Sequence, residues 1–364
     1  MTPAKPSLEM LRALTDENVL RALMADRRLT RAEIAARTGI SKPTISDAVQ
    51  RLAASGLLVD TGERTTGRGR SGSYYALAPG LGTALVASIS PRGVTAETVD
   101  ALGDTVGRAH ADLGRDAGEH QAARALAEAA ARLTGPSRLA VVSAADPVDR
   151  ATGRLVRLPD APFLVGALDP AAVLAPHVTG PVLVDNDVNW AARAEHAAVG
   201  VDDFVYLHLG EGLGCAVVTD GTVRRGHGGL AGEIAHVYTP GPDGTALPFT
   251  EVFATLGLRR PNSTAIDVPA LEAAITSDTG TTDTLARAVG GVLTAAVALT
   301  DPALIVLGGE WGRLPLMRAA IERHLAAGPR PVSVVTATVD SPELTAARER
   351  AVAELRELVV GAER

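Results

Sequence analysis

With one cysteine in 364 residues, Cys215, the chain can close no intramolecular disulfide and can build no thiolate-cluster metal centre. Cys215 lies in the apolar run Cys215-Ala-Val-Val-Thr219 and reads as a small core residue. Aromatic residues make up only 3% of the chain, so a stacking platform for a ring-shaped ligand has few candidates, Trp190 among them. No apolar run reaches the roughly 18 residues a membrane crossing needs. The first residues, which include Glu9, Asp16 and Glu17, lack the pattern of a secretory leader, so a cytoplasmic location is expected. Excess positive charge is also missing overall: the net charge of −7 disfavours non-specific contact with nucleic acid.

That charge is unevenly spread. Residues 1–82 hold 12 Lys and Arg against 8 Asp and Glu, whereas the remainder holds 23 against 34, which makes a basic head on an acidic body. Inside the head, the segment from Arg31 to Leu52 has the spacing of a helix-turn-helix. Ala35 lets two helices approach closely, and Gly39 four residues on supplies a turn that a side chain would resist. Ser41 is a good N-cap and Pro43 suits a first helical turn. Ile45, Val49 and Leu52 recur at helical spacing and are expected to pack on Ile34 and Leu23. The opposite face carries Lys42, Thr44, Ser46, Gln50 and Arg51, polar and basic groups able to reach base edges and phosphates in a major groove. Lys42, Thr44 and Ser46, nearest the helix start, are the base-reading candidates.

Two strand-like runs, Gly56–Val59 and Tyr74–Leu77, flank a Gly/Arg loop and so form a wing. Glycines there let the backbone press into a narrow groove, and Arg68 and Arg70 would meet the negative potential of an A/T-rich minor groove. Taken alone, the loop reads equally as a solvated basic turn; joined to the helix pair, it favours duplex DNA as partner.

Pro79-Gly-Leu-Gly82 punctuates the chain as a hinge, which gives a winged helix-turn-helix over residues 1–80 and a second domain over 81–364. In that body, strand-like runs (83–90, 94–99, 139–143, 182–184, 203–209, 215–219, 303–307, 332–335) alternate with helical ones (119–133, 170–177, 190–198, 316–325, 345–359). Asp220-Gly221 marks a hairpin. A mixed α/β body of one or two lobes is expected.

The order of features is specific. Asn186-Asp187, Leu209-Gly-Glu-Gly-Leu-Gly214, Asp220-Gly221, Gly229-Leu-Ala-Gly-Glu-Ile-Ala-His236 and Ile305-Val-Leu-Gly-Gly309, behind a winged helix-turn-helix, resemble the ROK family of repressors and sugar kinases. The resemblance implies an actin-like, ribonuclease-H-like body of two lobes with a sugar-binding cleft between them. It implies that Asn186 and Asp187 bond sugar hydroxyls, Asp187 standing where the kinases keep their general base, and that Glu233, His236 and Glu251 contact the sugar. Carboxylates and amides in a closed pocket suit polyols, because an epimer leaves one of them unpaired. The alternative is that Asn186 and Asp187 cap the next helix and that Glu233 and His236 pair with each other.

The chain departs from the family twice. Family members follow the Gly-Glu-Ile-x-His motif with three zinc-binding cysteines, and residues 238–250 contain none, so no metal or other cofactor is expected. The first phosphate loop of the kinases corresponds to Ala87-Ser-Ile-Ser-Pro-Arg-Gly93, which offers no carboxylate to organise magnesium. The expected function is a non-enzymatic transcriptional regulator, acting as a repressor on an inverted-repeat operator as a homodimer or tetramer, with a sugar or related metabolite as effector. A sugar kinase with a regulatory head, and a regulator answering to a non-sugar ligand or to none, are the competing readings.

Overall fold

The computed structural model describes residues 7–66, 71–114, 117–158, 163 and 165–361. Helix α1 (Leu8–Asp26) leads into the short strand β1 (Arg28–Thr30) and helix α2 (Arg31–Thr38), which starts in a reciprocal cap. The Thr30 hydroxyl accepts from the Glu33 amide at 3.2 Å, and the Glu33 carboxylate accepts from the Thr30 amide at 2.7 Å. Gly39 ends α2 at φ +70°, its N–H on the Ala35 carbonyl at 3.0 Å, as the turn requires. Helix α3 (Lys42–Ala54) is capped by Ser41 and packs Ile45, Val49 and Leu52 with Ile34 and Leu23 in one fully buried cluster. Strands β2 (Leu58–Arg64) and β3 (Ser73–Leu77) complete a three-stranded sheet in the order β1-β3-β2.

The body repeats one sheet plan twice. Strands β4 (Ala84–Ser90), β5 (Gly93–Val99) and β6 (Thr105–Ala111) form an antiparallel meander. After helix α4 (Glu119–Ala131), β7 (Leu139–Ala144) adds parallel to β4. The short helix α5 (Pro170–Leu174) follows, and β8 (Val182–Asn186) then adds parallel to β7. Helix α6 (Asp187–Val199) crosses to the second sheet, where β9 (Phe204–Leu209), β10 (Leu213–Thr219) and β11 (Thr222–Val223) repeat the meander. The hairpin β12 (Tyr238–Pro240) and β13 (Ala246–Pro248) and helices α7 (Phe249–Thr255), α8 (Val268–Ser277) and α9 (Thr279–Thr300) come next. Strand β14 (Leu304–Gly308), helix α10 (Pro315–Ala326) and strand β15 (Ser333–Thr336) complete the second sheet, β14 parallel to β9 and β15 to β14. The orders β6-β5-β4-β7-β8 and β11-β10-β9-β14-β15 are therefore equivalent.

Helix α9 has the length and apolar composition of a membrane span, but 56% of its most apolar window is enclosed in the body. Gly290 and Gly291 in its middle admit the His324 ring and the Thr239 side chain, which a β-carbon at either position would strike.

The last helix, α11 (Pro342–Gly361), ties the parts together. Its buried residues Ala346, Ala347, Ala351, Leu355 and Val359 join a single apolar cluster with Val19, Leu20 and Leu23 of α1, Val86 of β4, Val141 of β7 and Trp190 of α6. Polar contacts reinforce the seam: Arg21 meets Glu357 at 2.8 Å, and Arg27 meets Asp104 at 2.6 Å. The head thus shares its core with the body rather than hanging from the 79–82 segment.

Candidate functional site

Two surfaces matter. On α3, Lys42, Thr44 and Gln50 are exposed and Ser46 is half-buried. Arg51 behaves differently from its expected role: its guanidinium turns back to the buried Asp16 carboxylate of α1 at 2.7 Å, because an unmatched carboxylate there would be costly. Asp47 is exposed on the same helix, a residue the sequence reading passed over; a carboxylate on a reading helix accepts from the amino group of cytosine. At the wing base, Thr65 N–H bonds the Gly72 carbonyl at 2.9 Å. Arg68 and Arg70 lie outside the described residues.

The second surface is a cleft of about 740 Å³ between the two sheets. Its walls are the β4–β5 turn with Ser90 and Arg92, the junction of β8 and α6 with Asn186 and Asp187, the β9–β10 loop, and the Gly229–His236 segment with Glu233 and His236. Ser341 and Glu343, at the start of α11, close one side. Asn186, Asp187, Glu233 and His236 therefore share one cavity.

Local backbone explains how they meet. Asn186 is the N-cap of α6, its Oδ1 accepting from Val188 N–H at 2.9 Å while its Nδ2 donates to the Asp146 carbonyl at 3.2 Å. Capping and cleft lining thus fall on one residue, and the helix begins at Asp187, three residues before the expected start. Behind it, Asp185 accepts from Arg193 at 2.6 Å and from Asn189 at 2.9 Å and pairs with Arg225 at 3.1 Å, fixing α6 to the loop after β11. Gly232 holds the opposite wall. Its carbonyl accepts from Cys215 N–H at 3.1 Å, and at φ +98° a β-carbon on it would collide with the Cys215 carbonyl.

Two expected contacts fall elsewhere. Glu251 does not line the cleft; it faces outward on α7, paired with Arg259 at 2.9 Å, while its neighbour Thr250 takes the inward position. One residue along a helix turns a side chain by about 100°. Trp190 is no stacking platform, since its ring is buried, its Nε1 donates to the Val142 carbonyl at 3.1 Å, and Arg193 covers its face. At the β4–β5 turn, Arg92 reaches Glu310 across the cleft at 3.6 Å. Burial holds the neighbouring His208 imidazole below its ordinary pKa, although Glu310 pulls the other way.

The electrostatics of the cleft centre on a residue the sequence reading missed. Asp146 is 1% exposed, and its Oδ2 has no hydrogen-bond partner among the described residues. Burial, and then the fields of Asp187 and Glu233, push its carboxyl up to about 8. Asp187 is pushed up to about 7, by burial first and then by Glu343 and Glu233. Burial raises Glu233 as well, an effect moderated by the solvent that reaches it. The signal available in the sequence was Asp146 itself, a carboxylate set between the buried strand β7 and Pro147 where a small residue would suffice for a turn.

Comparison with known proteins agrees with this geometry. Residues 119–252 match the ROK family, and residues 12–59 match the winged helix-turn-helix DNA-binding family. The "Glucokinase" of Halalkalibacterium halodurans is 42% identical over 69 residues, 18% of this chain and 21% of that protein. The "Bifunctional enzyme NanE/NanK" of Brucella melitensis biotype 1 is 30% identical over 158 residues, 40% of this chain and 30% of that protein. The matches thus span less than a third of these curated relatives. Among solved structures, a ROK family transcriptional regulator described as a homolog of the E. coli MLC protein superposes with a TM-score of 0.64, covering 96% of this chain and 99% of that one at 17% identity, a likeness of fold. Residues 119–252 thus match the ROK family behind the winged helix-turn-helix match, on a mixed α/β body whose fold is like that of the regulator structure.

Proposed function

We propose that this protein is a cytoplasmic transcriptional repressor whose grip on a DNA operator is set by a sugar or related metabolite held between Asp187 and Glu233. The domains are taken as residues 1–80 for reading DNA and 81–364 for sensing and self-association, in a homodimer or tetramer on an inverted repeat. One observation carries the reading: α11 begins in the cleft at Glu343 and ends against α1 of the DNA head, so one rigid element runs from the ligand site to the head that bears the reading helix. A ligand that binds unequally to two settings of α11 shifts the head by that difference in affinity. The regulator is taken to be no enzyme, since the Ala87–Gly93 turn brings no carboxylate and its arginine is engaged by Glu310.

The test is operator retardation by the purified protein on its own upstream DNA, with and without a metabolite panel. Loss of retardation with one ligand supports the reading; failure to retard any fragment at low salt, or turnover of ATP with a hexose, defeats it. Within that assay, Lys42→Ala should weaken binding across all fragments and lower the slope of log affinity against log salt by about 0.9, the signature of one lost phosphate contact. An unchanged slope would remove Lys42 from the interface. Asp187→Ala should retain affinity for the operator but lose the response to ligand, and an intact response would show that the effector lies elsewhere.

A further inference from the structure

Resting on that reading of the cleft, we propose that its effector bears a protonated amine, as an amino sugar does, with the ammonium group drawn to the carboxylates Asp187, Glu233 and Glu343 that line it. The cleft sorts its charges. Arg92 is matched by Glu310 at 3.6 Å and Arg260 by Glu211 at 3.4 Å, so the lining arginines already have anions. The other lining carboxylates, Asp187, Glu233 and Glu343, have no ion pair among the described residues. A fourth carboxyl, Asp146, lies buried between the lining residues Ala145 and Pro147 with Oδ2 unpartnered.

Like charges facing one cleft repel, and buried ones do so through a medium that screens poorly. Some cation must relieve them or they must hold protons. Among the described residues no group of His, Cys, Asp or Glu is arranged to hold a metal ion, so a bare metal does not fit the arrangement. An ammonium group supplies three donors and one positive charge, and it can pair with one carboxylate while the others lower its energy from further off. The remaining polar lining, Asn186, Asn189, His236 and Thr250, suits hydroxyls on the rest of the molecule. A neutral sugar leaves these carboxyls to keep their protons, whereas an ammonium group lets them ionise and pairs with the charge.

The experiment is titration calorimetry on the full-length protein without DNA. Glucosamine, galactosamine and mannosamine are each compared with the parent hexose and with the N-acetylated form, whose amine no longer carries charge. At least one free hexosamine should bind about tenfold or more tightly than both of its neutral counterparts, the order expected of a close ion pair. Asp146→Asn should shrink that preference severalfold. Asp146→Ser serves as a second variant, and the thermal transition of each checks that it folds. Equal or tighter binding of a neutral hexose would overturn the amine assignment while leaving the cleft as the effector site. Binding of no hexosamine, or a preference unmoved in both folded variants, would also overturn it. The reading of the protein as a regulator fails separately, in the operator assay.

Discussion

Asp146→Asn should make the protein more stable at pH 8 than the parent chain, by on the order of 2–3 kcal/mol, and little different from it near pH 4. The sign follows from proton counting. Above about pH 4 an unfolded chain has released the protons of its aspartates. The folded chain keeps them on Asp146 up to about pH 8 and on Asp187 up to about pH 7. The folded state therefore binds more protons across that window, and stability must fall as pH rises through it. An amide removes the larger share of the slope. It still leaves a buried polar group, which is why the gain is set below the full equivalent of the shift. Denaturant unfolding of both proteins from pH 4 to 8.5 reads the result directly. A parent chain with flat stability over that range, or an Asn variant with the same slope, would refute the account of Asp146 as a carboxyl buried without a counter-charge.

Leu355→Ala should cost roughly 2–5 kcal/mol, and the loss should be shared by the DNA head and the body. Leu355 is fully buried in α11, inside the cluster that also holds Leu20 and Leu23 of α1 and Val86 and Val141 of the first sheet. Shortening it opens space inside a cluster to which both parts contribute, and side chains held on packed helices and strands limit its collapse. Hydrogen exchange should show faster opening in α1 and α3 as well as in α11 and β4. If exchange rises in the body alone while the head stays protected, the two do not share a core in the sense described.

Much of this was legible in the sequence, and the failures have physical causes. The helix-turn-helix was readable because Gly39, Ser41 and the Ile45/Val49/Leu52 spacing are local signals that tertiary context did not override. Strands β4, β7, β9 and β14 stand out as short apolar runs buried on both faces. Strand β6 does not: at the edge of its sheet it shows mostly exposed residues, Arg108 and His110 among them, and has little apolar pattern to read. Helix α9 was hidden by its threonines and paired glycines, poor helix formers whose cost is offset only by packing against α10 and β12. In the cleft, Asn186, Asp187, Glu233 and His236 were found through motif order, whereas Glu251 was misplaced by one position of helical phase. Arg51 could not have been excluded from sequence, because its partner Asp16 lies 35 residues away on another helix. Asp146 offered only its place between a buried strand and Pro147, which does not reveal that its carboxyl lacks a partner among the described residues.

The sharing of one apolar cluster by α1 and the final helix has a bearing on how such chains can be recombined. A chimera built by cutting at the Pro79–Gly82 hinge would separate the reader from the 20-residue helix α11 on which it leans. Grafting this reader onto another sensor should therefore succeed only when the recipient supplies a helix matching α11, so that the reader travels with two segments far apart in sequence.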